Sequence, residues 1–435
     1  MIKTTHDPEE CIRNIFQLLV YKKKRIGFLF GAGTSLAIKE KEKSLTVPAI
    51  KELTKIVEAE ILNDKDADGN LTNKYLDVIT TLKKDLINYN IETILSNLEQ
   101  KHEIIGSTTI SGLDNENYHT LILKIKRIIK DKMSVHRSEK IEYDALIQSD
   151  FAAWIGQADR TFGVEIFTTN YDYLFELGLE YMNVPYFDGY TGSYKPFFNT
   201  DAVDNLNYLQ NQTKLWKIHG SLGWHIDKET KKIIRYEMPN DDDIYINPSV
   251  YKYRDSKKQP YLSLLDRLSK FLNEDDTVLF TCGYSFNDFH INERITISLN
   301  NDSNSHVIAL YYDEYWEDKI KKYALIENSH IYNLAKSNGK LSVLGMRSAV
   351  IGRQLGKWKI QREPDKDITP SIVLYFDEDG LDDIKDTDIK KEFKGSDTYT
   401  GEGVFNLPDF IKFVNFLNSM VADNPLKKSM KDGIK

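Results

Sequence analysis

The stretch Ile26-Gly27-Phe28-Leu29-Phe30-Gly31-Ala32-Gly33-Thr34-Ser35 decides the fold. Its first five residues form a continuous apolar run with no polar alternation. Such a run suits a central parallel strand covered on both faces. It passes straight into a glycine turn. A turn of this kind between a parallel strand and a helix brings backbone amides close to an anion. Glycine permits the tight path, and a helix dipole favours negative charge. Gly31, Ala32 and Gly33 supply the backbone, and Thr34 and Ser35 add hydroxyl donors. As a dinucleotide fingerprint the pattern is incomplete. Leu36 stands where a third glycine would be, and no clear strand ends in an acid about 20 residues later. At this point a strand-to-helix turn without a ligand competes with a phosphate loop.

Upstream, Asp7-Pro8-Glu9-Glu10 reads as a helix start. Asp7 can cap, Pro8 suits the first turn, and Glu10 stands where a capping-box partner would. Cys11, Ile12, Ile15, Phe16 and Leu19 then share one helical face. The basic run Lys22 to Arg25 reads as a solvated helix end rather than a nucleic-acid patch. Downstream, a helix near Pro48 is expected to turn Ile50, Leu53, Ile56 and Val57 inward. From about residue 62 to 155 the pattern is largely helical, with stripes at Ile91, Ile94, Leu95 and Leu98, at Leu121, Ile122, Ile125 and Ile128, and at Tyr143, Leu146, Ile147 and Ile155. The polar piece Asn63 to Asn70 reads as a loop.

Strand signals then return. Val164 to Thr169 ends in Asn170-Tyr171-Asp172, and Leu215 to Ile218 ends in His219-Gly220-Ser221. Residues 222 to 236 resemble a hairpin, and Tyr261 to Leu272 reads as a helix behind Pro260. Thr277 to Cys282 ends in Gly283-Tyr284-Ser285, and Val307 to Leu310 is one more strand. Beyond about residue 340 the signal weakens: Ser371 to Phe376 is strand-like, Asp377 to Lys394 is polar, and Phe410 to Val421 is helical. Strands alternating with helices predict an α/β protein: a Rossmann-like, mostly parallel sheet with a helical insertion at about 62–155 and a small C-terminal accessory region. The boundary expected from the sequence separates 1–340 from 341–435.

The bulk numbers narrow the class. With 435 residues, 41% hydrophobic and 29% charged, the chain reads as an ordinary globular protein of two or three packed units. A net charge of −8 argues against wrapping nucleic acid. The two cysteines, Cys11 and Cys282, argue against a disulfide framework and a cysteine-ligated zinc. The start lacks a secretory pattern, and no apolar run approaches the roughly 18 residues of a membrane span. A cytoplasmic setting is the expectation.

In parallel sheets, ligands bind outside the carboxyl ends of the strands. Gly31 to Ser35, Asn170 with Asp172, His219 with Ser221, and Gly283 with Tyr284 and Ser285 all sit at such ends. Each alone has a bland reading: a plain turn, a helix cap at Asn170 or Asp172, a satisfied turn histidine. The ordered set GAGTS, TTNYD, KIHGSL and CGYSFND, spread over roughly residues 20 to 310, resembles the sirtuin (silent information regulator 2) family. It is most similar to the bacterial branch whose members degrade NAD in antiphage defence.

The resemblance implies roles. Gly31, Ala32, Gly33, Thr34 and Ser35 would hold the NAD pyrophosphate. Asn170 would hold the nicotinamide ribose and a water, and Asp172 would assist near the nicotinamide end. His219 would be the base acting on a ribose hydroxyl. Gly283, Tyr284 and Ser285 would contact the adenosine side. The implied activity is an NAD glycohydrolase, with NAD as substrate. Relatives in defence systems work with a HerA-like ATPase or another partner, so a homo-oligomer and such a partner are expectations. Nucleic acid and membrane are not indicated.

Two departures matter. Protein-deacylating sirtuins carry a four-cysteine zinc module after the His-Gly motif, and this chain has no cysteine between Cys11 and Cys282. They also carry an Ile-Pro-Asp-Phe-Arg stretch where this chain reads Thr46-Val47-Pro48-Ala49-Ile50. Both favour water as acceptor and no zinc. A deacylase or ADP-ribosyltransferase, and a non-catalytic nucleotide-sensing or scaffold subunit, stand as alternatives. No metal site is expected: Asp241 to Asp243 read as a solvated turn after Pro239-Asn240, and no nuclease-like carboxylate motif is recognisable. Cys282 reads as a small buried residue ending a strand rather than a nucleophile.

Overall fold

The computed structural model describes residues 4–41, 43, 45–64, 71–138, 141–227, 229–236, 259–301, 304–362, 371–381, 384 and 386–421. Its centre is a ten-stranded sheet. The strands run in the spatial order Thr4–His6, Gln354–Trp358, Ser348–Ile351, Leu341–Leu344, His306–Leu310, Thr277–Cys282, Arg25–Phe30, Glu165–Thr168, Thr213–Lys217, Tyr186–Phe187. Every pairing is parallel except the two made by Ser348–Ile351. The predicted α/β class and mostly parallel sheet are what forms.

The apolar run builds this centre because both of its faces are covered. Ile26, Phe28 and Phe30 join one core, while Leu29 faces the other. Gly27 lies on the Leu29 side, where the Phe271 ring sits 2.5 Å from the position a Cβ would take. A side chain there would collide with a core aromatic, so the glycine sets how close helix Tyr261–Leu272 can come. On the opposite face, Phe28 meets Phe151 and Trp154 edge-on, with ring centroids 5.1 and 5.7 Å apart. Those two rings come from helix Ile147–Gln157.

The path of the chain through the sheet fixes the ligand crevice. From Arg25–Phe30 the chain moves outward to Glu165–Thr168 and Thr213–Lys217. It then returns to the other side of Arg25–Phe30 with Thr277–Cys282 and moves outward again to His306–Leu310. The order reverses between Arg25–Phe30 and Thr277–Cys282. In open parallel sheets the binding crevice lies at such a reversal, outside the carboxyl ends. The turns starting at Gly31 and Gly283 occupy those two ends.

The helical insertion has its own core, and its limits differ from the expected 62–155. That core runs from Val47 to Met133 and uses helices Ile50–Leu62, Leu76–Asp85, Ile91–Ile104 and Asn115–Met133. Helix Ile147–Gln157 belongs instead to the sheet, because Phe151 and Trp154 pack with Phe28. In the first insertion helix, Ile50 is exposed, contrary to expectation, and Thr54 takes the inward place. The Thr54 hydroxyl accepts the Ile91 amide at 3.0 Å, which ties two helices together.

The C-terminal third also differs from expectation. Residue 340 falls inside the sheet, since Leu341–Leu344, Ser348–Ile351 and Gln354–Trp358 all join it. Phe410, Phe413 and Leu417 of helix Phe410–Ser419 complete the core around Phe28 and Phe30. Ser371 to Phe376, expected as a strand, is a short 3-10 turn at Ile372–Leu374 followed by strand Phe376–Glu378. The Asp241–Asp243 turn lies outside the described residues. Among the described residues no helix is long and apolar enough to cross a membrane.

Candidate functional site

Four consecutive places in the sheet, Thr277–Cys282, Arg25–Phe30, Glu165–Thr168 and Thr213–Lys217, end in the four motifs. The first two are welded together. The Gly33 amide donates to the Gly283 carbonyl, and the Gly31 amide to the Cys282 carbonyl, both at 3.1 Å. A Cβ on Gly31 would stand 2.4 Å from the Gly283 oxygen, and one on Gly33 would stand 2.7 Å from the Gly283 Cα. Gly283 itself has φ +63°, a left-handed conformation that favours glycine. Glycines some 250 positions apart are therefore required by each other.

This interlock carries a prediction. Gly283→Ala adds a strained φ and a Cβ 2.6 Å from the Thr34 nitrogen. The strain costs on the order of 1–3 kcal/mol. The expected result is a lower thermal midpoint with unchanged far-ultraviolet circular dichroism; an unchanged midpoint would contradict the interlock.

The turn after Gly31 departs from the expected geometry. Ala32–Ser35 is a single 3-10 turn, and the next α-helix begins only at Ile50. The helix-dipole argument for an anion does not apply here. The hydroxyls are also committed. Thr34 Oγ1 donates to the Gly31 carbonyl at 2.8 Å, and Ser35 Oγ donates to Asp172 Oδ2 at 2.7 Å. Thr34 and Ser35 are buried and their hydroxyls shape the turn, while Ala32 and Gly33 are exposed.

Asn170 is the keystone of this network. Its Nδ2 lies 2.8 Å from Ser35 Oγ, 3.0 Å from the Gly31 oxygen and 3.1 Å from Thr34 Oγ1. An amide has two protons, so these three acceptors share them. The donor end is thus held against the glycine turn, and Oδ1 has no protein partner among the described residues. Asp172 receives Ser35 on one oxygen and, on the other, the Leu174 amide at 3.0 Å, which starts helix Leu174–Tyr181. Gln148, which the sequence reading missed, donates to the Thr34 carbonyl at 2.9 Å from helix Ile147–Gln157. A lone glutamine on an apolar helix gives no signal of this task.

His219 follows strand Thr213–Lys217, and Gly220 beside it has φ +87°. Its Nε2 lies 3.0 Å from Asp288 Oδ2. Asp288 was also missed, although it ends the CGYSFND motif. Its other oxygen accepts the amides of His290 and Ile291 at 3.0 and 3.2 Å, capping helix Phe289–Asn300. Tyr284 points inward: its hydroxyl donates to Asn292 Oδ1 at 3.0 Å and its ring joins a core. Ser285 is exposed. Cys282 is buried, and enclosure in the core pushes its thiol pKa up strongly; its sulfur lies 3.7 Å from the Pro408 oxygen.

The site therefore brings together the turn at Gly31–Ser35, Asn170 and Asp172 in one hydrogen-bonded group. Gly283 belongs to it through backbone contact, and His219 through Asp288 at the far end of the same loop. The Tyr284 side chain is turned away from the group.

The helical insertion touches the same loops from outside. Tyr171, Tyr173 and Leu222 pack on its core, so neighbours of Asn170, Asp172 and His219 form the joint. His136, just past the last insertion helix, meets the Tyr173 ring edge-on at 4.6 Å, and neither ring nitrogen has a hydrogen-bond partner among the described residues. Burial pushes its pKa down to about 4, with nearby Arg137 and Lys217 adding to the shift. The folded chain thus keeps this ring neutral where the unfolded chain takes a proton. Stability is expected to fall as pH drops from about 6.5 towards 4, because the unfolded state binds the extra proton in that window. His136→Phe is expected to lose less thermal midpoint between pH 7 and pH 5 than the native chain. Equal losses would contradict this.

No curated protein matches the chain. A family model described as the SIR2-like domain matches residues 164–334, which include Asn170, Asp172, His219 and the Gly283 loop. The matched segment leaves out Gly31 to Ser35, which the sheet and the glycine interlock bring back to it. Over residues 164–334 the chain is similar to the SIR2-like domain family.

Proposed function

We propose that this chain is an NAD glycohydrolase that cleaves NAD to nicotinamide and ADP-ribose. The observation that carries the reading is Asn170. Its amide nitrogen is locked onto the glycine turn while Oδ1 has no partner among the described residues, at the strand end between the turn and His219. SIR2-like domains use NAD, and the residues fit it. The exposed turn at Ala32 and Gly33 suits a pyrophosphate, Oδ1 of Asn170 suits a ribose or a water, and His219 suits a base.

The chemistry asks little of the protein. The C1′–N bond breaks with its electron pair leaving on nicotinamide, which departs neutral. Positive charge develops on the ribose, a water oxygen then bonds to C1′, and that water passes one proton to the ribose oxygen from which His219 has taken one, so the released proton ends on the imidazole. An amide oxygen orients that water without adding charge, and His219 takes a proton from a ribose hydroxyl as the positive charge is quenched. Water as acceptor follows from the lack of the deacylase motifs in the sequence. Depletion of NAD in antiphage defence, with control by oligomerisation or a HerA-like ATPase, is the biological setting we propose on the family resemblance.

The test is to incubate the full chain with NAD, with and without an acetylated peptide, and separate the products. Equal amounts of nicotinamide and ADP-ribose, unaffected by the peptide, are expected. Loss of the acetyl group from the peptide would replace this reading with a deacylase.

A further inference from the structure

We propose that Asp288 is the positioning residue of His219: it accepts the proton on Nε2 and so makes Nδ1 the atom that takes the substrate proton. The bond itself is read from the structure; the use of Nδ1 rests on the glycohydrolase reading.

The geometry leaves Asp288 little choice. Its side chain is 7% exposed and that of His219 19%, with 3.0 Å between Oδ2 and Nε2. Oδ1 is held by the amides of His290 and Ile291, so the carboxylate plane cannot turn away. An ionised carboxylate only accepts, so the nitrogen facing it must carry the hydrogen. The lone pair of the neutral ring then lies on Nδ1.

Capping alone does not explain the aspartate. The cap uses only Oδ1, and asparagine or serine serves a helix N-terminus about as well. The second oxygen is what the imidazole engages. The strands that end in Gly283 and His219 stand three places apart in the sheet, about 14 Å at the usual spacing. The Gly283–Asp288 loop therefore spans the gap between the two strand ends, with Gly283 against Gly31 and Gly33 and Asp288 against His219. When a ribose hydroxyl gives its proton to Nδ1, the imidazolium that forms faces a carboxylate already in place. The proton moves from the ribose oxygen to Nδ1, the attacking water returns one proton to that oxygen, and Asp288 stays ionised throughout.

Asp288→Asn separates the two tasks. With Oδ1 still capping the helix, the amide nitrogen replaces Oδ2 and can only donate to Nε2, forcing the ring proton onto Nδ1. The expected result is a thermal midpoint close to that of the native chain, a fall in kcat of roughly 10²–10⁴-fold, and little change in KM. Nitrogen-15 NMR of the histidine-labelled full chain gives a readout without turnover, with the His219 signals assigned by their loss in His219→Ala. Native chain should show a proton on Nε2 and a bare Nδ1, and Asp288→Asn the reverse. A native Nδ1–H tautomer, or an Asp288→Asn variant with native kcat, overturns the proposal. If the native chain cleaves no NAD, the glycohydrolase reading falls, and the NMR result still decides whether Asp288 sets the tautomer.

Discussion

His219→Ala is expected to lower kcat for NAD cleavage by roughly 10²–10⁴-fold, the usual worth of a positioned acid–base group. The fold should survive the change, because the His219 side chain is partly exposed and joins none of the three cores. Asp288 would keep its cap through Oδ1. KM should move little if the imidazole acts on the forming charge rather than on bound NAD. Asn170→Ala should behave differently. Its Nδ2 holds Gly31, Thr34 and Ser35, so truncation loosens the turn as well as removing Oδ1. That variant is expected to lose kcat and to raise KM together. A His219→Ala chain with native turnover would remove the imidazole from the reaction.

The largest expected loss of stability lies away from the site. Arg267 is fully buried and makes a two-pronged pair with Glu165, at 2.6 and 3.0 Å. Its remaining nitrogen donates to the Val203 carbonyl at 3.0 Å, and Trp216 Nε1 donates to Glu165 at 2.8 Å. Every arm of the pair is used. Glu165→Ala would leave a guanidinium in the core without its counter-charge, which costs about 3–5 kcal/mol. The pair as a whole is worth far less, since taking both charges out of water is itself costly. Glu165→Leu combined with Arg267→Met should therefore recover much of the loss. Thermal midpoints of the single and double variants check this. A single variant as stable as the native chain would contradict it.

How much of this was legible beforehand follows from what each segment buries. The central strands were readable because a run covered on both faces is apolar throughout, as at Ile26 to Phe30 and Thr277 to Cys282. The sheet edge was not. Thr4–His6 is three partly polar residues, and Ser348–Ile351 and Gln354–Trp358 are a short hairpin. Short edge strands carry weak patterns, and their membership is set by partners far away in sequence. The insertion limits were misjudged at helix Ile147–Gln157 because apolar periodicity does not say which core a helix faces.

At the site, the motif glycines were legible as a turn, but their physical reason was not. A sequence shows glycine beside a strand; it does not show that Gly33 and Gly283 meet backbone to backbone. In the sequence Thr34 and Ser35 read as hydroxyl donors to a ligand; in the fold their hydroxyls bind the turn and Asp172. Asp288 had a readable signal as an aspartate at a helix start, which also accounts for its being passed over as a cap.

The central claim is that one dinucleotide lies across the glycine turn, Asn170 and His219. Its most direct measurement is a crystal structure of the His219→Ala chain with NAD bound. The account predicts the pyrophosphate beside Ala32 and Gly33, with the nicotinamide ribose within hydrogen-bonding reach of Asn170 Oδ1 and facing the space His219 occupied. NAD bound elsewhere, or bound with its ribose remote from Asn170, would contradict it.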